Sequence, residues 1–182
     1  MLTCDEETGT MGAASLASQW PRDRLLPAAA LIGEPTSMQV VRMHKGHLRF
    51  EITAQGCGAH TGSPHLGANA ITRMTPVLAM LDVLRREMEA SRDGASPFFH
   101  DVPFPVLSVS TIHGGSAVNI MPEKCVIECG VRLMPGAGSE AFLDDLRGRL
   151  GDLECAEALD LTVINDSAPL LTDEEAALHQ QL

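Results

Sequence analysis

The sequence predicts a mixed α/β chain of the α+β kind, built around a β-α-β-β-α-β unit. Three observations carry that prediction. Between residues 47 and 164 the stretches run strand, helix, strand, strand, helix, strand, the split β-α-β order of ferredoxin-like sandwiches. His47 to Gln55 places Leu48, Phe50, Ile52 and Ala54 on one face and Arg49, Glu51 and Thr53 on the other, the period of a half-buried strand. Ile71, Met74, Leu78, Leu81, Leu84 and Met88 recur at helical spacing, an apolar stripe fit to cover one face of an antiparallel sheet.

The other elements follow in order. Residues 11–19 form a short helix, marked by Leu16 and Trp20 and closed at Pro21. Leu25 to Ile32 is a continuous apolar run ending at Gly33, which predicts a buried strand. Glu34-Pro35 then leaves the strand end as a loop. Gln39 to His44 is a short strand. A Gly-rich loop spans 56–67, and a long helix spans 68–91. Pro76 inside that helix predicts a kink or a later start. The polar, Pro-bearing stretch 90–105 is a loop. Val106 to Ile112 and Cys125 to Leu133 are strands, joined by a turn that opens at Gly114-Gly115 and ends at Pro122. Ser139 caps a helix reaching Leu150, with Phe142, Leu143, Leu146 and Leu150 inward. Leu159 to Ile164 is the last strand of the unit. Thr172 caps a short helix over 173–182, acidic in its first turn.

Composition limits the function classes. The chain has 182 residues, 45% hydrophobic and 20% charged, the balance of a soluble globular domain large enough for a real core. One Trp, no Tyr and nine Met predict an aliphatic, Met-rich interior. A net charge of −11 with only Arg85-Arg86 as a basic doublet argues against a nucleic-acid partner. Five Cys at irregular spacing imply no disulfide framework, and Cys125 and Cys129 read as buried small hydrophobes in a reducing cytoplasm. No basic leader precedes Asp5-Glu6-Glu7, and no apolar run is long enough to span a membrane.

Two acidic motifs stand out. Cys4-Asp5-Glu6-Glu7-Thr8-Gly9 places three carboxylates in a row, and Gly33-Glu34-Pro35-Thr36 follows one helix later. Neighbouring carboxylates repel unless a cation or solvent offsets the charge. The first motif is therefore a metal-assisted site or a solvated acidic loop, and Glu34 a ligand or a turn residue. His44 and His47 form an H-x-x-H pair with no carboxylate or Cys partner nearby in sequence, a poor metal site.

Taken together, these and three further motifs resemble the dinuclear zinc metallohydrolases that include aminoacylases, desuccinylases and carboxypeptidases. The others are Gly58-Ala59-His60-Thr61-Gly62-Ser63-Pro64 leading into Gly67-Ala68-Asn69-Ala70-Ile71, Gly114-Gly115-Ser116-Ala117-Val118-Asn119-Ile120-Met121-Pro122, and Arg132-Leu133-Met134-Pro135-Gly136. Val41-Arg42-Met43-His44-Lys45-Gly46-His47 is most similar to the branch of the family that deacetylates acetylornithine.

The resemblance implies roles. Glu6 is the general base, and Glu7 and Glu34 are metal ligands, for two Zn²⁺ per active site or for Co²⁺. His60 reaches across a homodimer, formed through the ferredoxin-like unit, to donate a hydrogen bond to the oxyanion. Asn119 and Arg132 bind a small N-acyl amino acid, the guanidinium pairing with its carboxylate. Each has a plainer reading: a backbone-satisfied loop histidine, a turn asparagine, an arginine at a strand end.

It also implies an organisation. Residues 1–37 are a partial metal-binding catalytic domain of α/β type, 38–166 the ferredoxin-like dimerisation domain, and 167–182 a return segment into the catalytic domain. The family's first metal histidine and bridging aspartate lie upstream of the acidic motif, and its last histidine ligand lies downstream of the dimerisation domain. The expectation is thus a chain that binds a dinuclear centre poorly and is inactive alone. The competing readings are a non-catalytic dimerisation module and a desuccinylase or metallopeptidase of the same family.

Overall fold

The computed structural model describes residues 4, 10–25, 29–173 and 175–176. The chain divides into two units, Met1–Val41 with Glu174–Leu182, and Arg42–Asp173.

In the smaller unit Met11–Ser18 forms helix α1, with no buried residue. Trp20 follows it; its indole Nε1–H donates to the Arg24 carbonyl at 3.1 Å, and the Arg24 guanidinium lies 5.2 Å over the ring. Of the strand expected over Leu25 to Ile32, the described residues form none. Residues 29–33 have no regular structure, and Leu31 and Ile32 are 71% and 73% exposed. Residues 26–28 of that run lie outside the described residues. A strand is held by ladder bonds to neighbours as much as by its own side chains. Among the described residues of this unit none belongs to a strand that could pair with the run.

The larger unit opens with β1 (Met43–His44), shorter than the expected 39–44. It pairs antiparallel with β6 (Leu170–Leu171), an element the sequence does not predict. Between them lies a four-stranded sheet of β2 (His47–Gln55), β3 (Val106–Gly114), β4 (Lys124–Arg132) and β5 (Leu159–Ser167). Its order is β3-β4-β2-β5, and every neighbouring pair is antiparallel. That is the predicted ferredoxin-like topology.

Alternation along β2 builds the core. Leu48, Phe50, Ile52 and Ala54 are all at 0% exposure. They sit opposite Val131, Cys129, Ile127 and Cys125 of β4, so one sheet face is continuous hydrocarbon and thiol. Burial raises both thiols, and Cys129, with Glu128 adding to the effect, is pushed up to about 12. On the opposite face Glu51 lies directly across from Glu128, and Arg49 pairs with the Glu128 carboxylate. Edge strand β3 carries a bulge where Val109 and Thr111 flank an extra residue, Ser110.

Helices α2 (Ala70–Ala90) and α3 (Ser139–Gly151) cover the apolar face. The α2 start is set by Asn69, whose Oδ1 accepts from the Ile71 and Thr72 amides at 2.9 and 3.2 Å, a side-chain cap. The helix begins before Pro76, so the later start is not observed. Its buried face is Ala70, Met74, Val77, Leu81, Leu84 and Met88. Ile71 is instead 42% exposed; the run through Ala70 and Val77 keeps a more regular alternating spacing and lets the helix approach closely. Ser139 is the first helical residue of α3 rather than its cap, because its hydroxyl donates to the Asp166 carboxylate. Phe142 is half-buried, its ring 6.1 Å from that of Phe50. The helix expected over 173–182 falls mostly outside the described residues.

Candidate active site

The loop after β2 turns back on the sheet at Gly56, whose N–H donates to the Glu123 carbonyl at 2.7 Å. A Cβ there would lie 2.4 Å from the Ala68 carbonyl oxygen, so glycine is required for this close approach. The loop then runs antiparallel to residues 119–121. The Met121 amide donates to the Ala59 carbonyl at 2.8 Å, and the Thr61 amide to the Asn119 carbonyl at 3.0 Å. These two bonds make a one-rung ladder between His60 and Ile120. Two residues singled out by the sequence, His60 and Asn119, are thus fastened side by side.

His60 is exposed, and its Nδ1 accepts the Gly62 amide at 3.1 Å. Beside it, Gly115 turns the 114–122 loop with φ of +78°, a left-handed conformation that favours glycine. The loop shapes an open hollow of about 480 Å³ lined by Thr61, Asn69, Gly115, Ser116 and Val118. Val118 is 96% exposed at its rim. The hollow combines backbone amides, one amide side chain and apolar surface, a surface suited to a small polar molecule with an apolar arm.

Arg132 is elsewhere. It ends β4, opposite Val106 and near His47, whose imidazole is lowered by desolvation first and then by the Arg132 and Arg49 charges. The 119–122 loop leads into the other end of that strand, at Lys124. Nine residues of strand separate the two ends by about 26 Å at ~3.3 Å per step. One small molecule cannot touch His60, Asn119 and Arg132 of the same chain.

Glu34 is exposed in the smaller unit, in a turn where the Thr36 amide donates to the Glu34 carbonyl at 2.8 Å. Glu6 and Glu7 lie outside the described residues. His44 uses Nδ1 against the Lys45 carbonyl at 3.0 Å. Among the described residues no three His, Cys, Asp or Glu side chains come together as a metal site. Of the two expected metal ligands, Glu34 alone is among the described residues.

The sequence motif included Gly62 without giving it a role, and did not reveal the Ala59–Met121 and Thr61–Asn119 bonds. The signal for the first was a glycine two residues after a loop histidine; the others join segments far apart in sequence.

A sheet of this order with both helices on one face defines the class: a ferredoxin-like α/β sandwich. The model of the peptidase dimerisation domain of the M20 family matches residues 42–154, and the chain belongs to that family. It is 39% identical over 152 residues to an acetylornithine deacetylase of Pectobacterium carotovorum, covering 84% of this chain and 37% of that enzyme. Over 171 residues it is 32% identical to an acetylornithine deacetylase of Aliivibrio fischeri, covering 93% of this chain and 44% of the relative. The chain spans less than half the length of these relatives. Two solved structures share the fold. A di-peptidase of Saccharomyces cerevisiae has a TM-score of 0.55 at 16% identity, over 76% of this chain and 39% of that one. An aminopeptidase of Bacillus cereus has a TM-score of 0.53 at 18% identity, over 77% and 34%. Among the described residues no helix is long and apolar enough to cross a membrane.

Proposed function

We propose that the chain serves within a metal-dependent amidohydrolase that removes the N-acyl group of an amino acid, with N-acetylornithine as substrate and ornithine and acetate as products. The substrate assignment rests on the acetylornithine deacetylases that the chain resembles over most of its length. The metal, Zn²⁺ or Co²⁺, supplies water activation when bound; Glu7 and Glu34 are its proposed ligands in this chain. Glu6 is the proposed base that carries the proton from water to the leaving amine.

The observation that carries the reading is the separation of the substrate-binding groups. His60 and Asn119 stand at one end of the sheet, and Arg132 stands at the other. A shared substrate then requires two copies of the chain. Arg132 of one copy pairs with the substrate carboxylate in a bidentate contact. His60 and Asn119 of the other copy reach the acyl end, where the His60 Nε2–H steadies the oxyanion. The homodimer is thus part of the active site.

Mixed dimers test this. Made in the intact enzyme, His60→Ala and Arg132→Ala should each lose acetylornithine hydrolysis, His60→Ala by about 10²-fold or more in kcat. Co-expressed, they should regain about a quarter of wild-type activity, because half the dimers are mixed and each of those holds one complete site. No recovery on mixing would place both groups in one chain's site and sink the reading.

A further inference from the structure

We propose that the backbone amide of Gly62 is the group that sets the tautomer and ring orientation of His60, so that the imidazole presents Nε2–H and nothing else to the reacting carbonyl. The inference rests on the role proposed above for His60 and names the positioning group behind it.

The argument is an accounting of three consecutive amides. After His60 the chain offers the N–H groups of Thr61, Gly62 and Ser63. The Thr61 amide goes outward to the Asn119 carbonyl at 3.0 Å and holds the loop to its neighbour. The Ser63 amide closes a turn onto the His60 carbonyl at 2.8 Å. The Gly62 amide, between them, goes to His60 Nδ1 at 3.1 Å. A backbone amide can only donate, so Nδ1 must be the unprotonated acceptor. In the neutral ring the proton is then on Nε2, which has no hydrogen-bond partner among the described residues. An oxyanion hole needs a fixed donor, and here the tautomer is set from inside the loop rather than by a second side chain.

A side chain at residue 62 would press on the same ring. A Cβ would lie 3.2 Å from Nδ1 and 3.6 Å from Cε1. Alanine keeps the amide and pushes the ring aside by a few tenths of an ångström. Proline removes the amide altogether. The two changes therefore separate the hydrogen bond from the packing.

The test is nuclear magnetic resonance on the ¹⁵N-labelled full chain above the histidine titration range. A scalar coupling across the hydrogen bond should link the Gly62 amide nitrogen to His60 Nδ1, with Nδ1 pyridine-like and Nε2 pyrrole-like. His65, His100 and His113, which have no such ring contact among the described residues, should show no coupling. Gly62→Ala should keep the coupling. Gly62→Pro should lose it and populate both tautomers, and in the hydrolase assay of the intact enzyme kcat should fall about tenfold, toward the roughly 10²-fold cost of losing an oxyanion donor, with KM little changed. Absence of the coupling in the wild-type chain, or a protonated Nδ1, overturns the proposal even if His60→Ala is inactive. A Gly62→Pro protein that keeps a single Nε2–H tautomer overturns it as well. Should the coupling be present while His60→Ala retains full activity, the role proposed for His60 fails and this inference falls with it, although the hydrogen bond stands.

Discussion

Two apolar runs in this chain promised strands, and among the described residues only one is a strand. His47 to Gln55 alternates, and its inward side chains are fully buried in a four-stranded sheet. Leu25 to Ile32 is more apolar, yet its residues from 29 onward lie irregular and exposed. Alternation is self-sufficient evidence, because it already states which face meets a core. A continuous run states only that both faces need cover, and the cover must come from elsewhere in the fold. The difference teaches that hydrophobicity without period is a demand on neighbours.

Truncation sharpens that contrast first. Phe50→Ala should cost about 3–5 kcal/mol, the range for emptying a fully buried aromatic site. Urea unfolding followed by far-UV circular dichroism measures it. A cost below 1 kcal/mol would mean that the alternating strand is not the core.

Alkaline titration gives the next effect. The Cys129 thiol is held up to about 12 against an ordinary 9.0. The unfolded chain therefore releases this proton first as pH rises. The thiol's contribution to stability should be constant below about pH 9 and decline from there toward pH 12. Cys129→Ala should flatten the decline, at some cost in packing. A wild-type chain whose urea midpoint holds steady to pH 11 contradicts the raised thiol.

Smaller changes follow on the exposed side of the sandwich. Asn69→Ala removes the cap of α2 and should cost about 1 kcal/mol. Arg49→Ala should cost under about 1 kcal/mol, and the loss should shrink with added salt as screening weakens the Glu51–Glu128 repulsion left behind. Last comes Ile32→Ala in the irregular run, which should change the stability of the chain by no more than ~0.5 kcal/mol. A loss of 2 kcal/mol there would show that the run is buried after all and would erase the comparison.

Much of the sandwich was legible because its signals are local. Alternation marked β2, Pro and Gly marked the turns, and an apolar stripe at helical spacing marked α2. The apolar stripe of α2 was misjudged at Ile71, which is exposed, while Leu78 packs against the core beside the fully buried Val77. Ser139 misled for a different reason: its hydroxyl found Asp166, distant in sequence, before it could cap its own helix. β6 was invisible because two residues carry no period and are fixed only by pairing with β1. At the site, the motif around His60 was legible as a motif. Its tie to Asn119 and the distance to Arg132 were not, since both depend on how strands that are remote in sequence come to lie side by side.

Trp20 has a use that follows from where it sits. It is the single indole of a chain without tyrosine, and it belongs to the smaller unit, while the larger is built from aliphatic side chains around Phe50. Its fluorescence and the far-ultraviolet signal of the sheet are therefore two separate optical channels. Melting the protein while recording both would time the two units independently, with no label added.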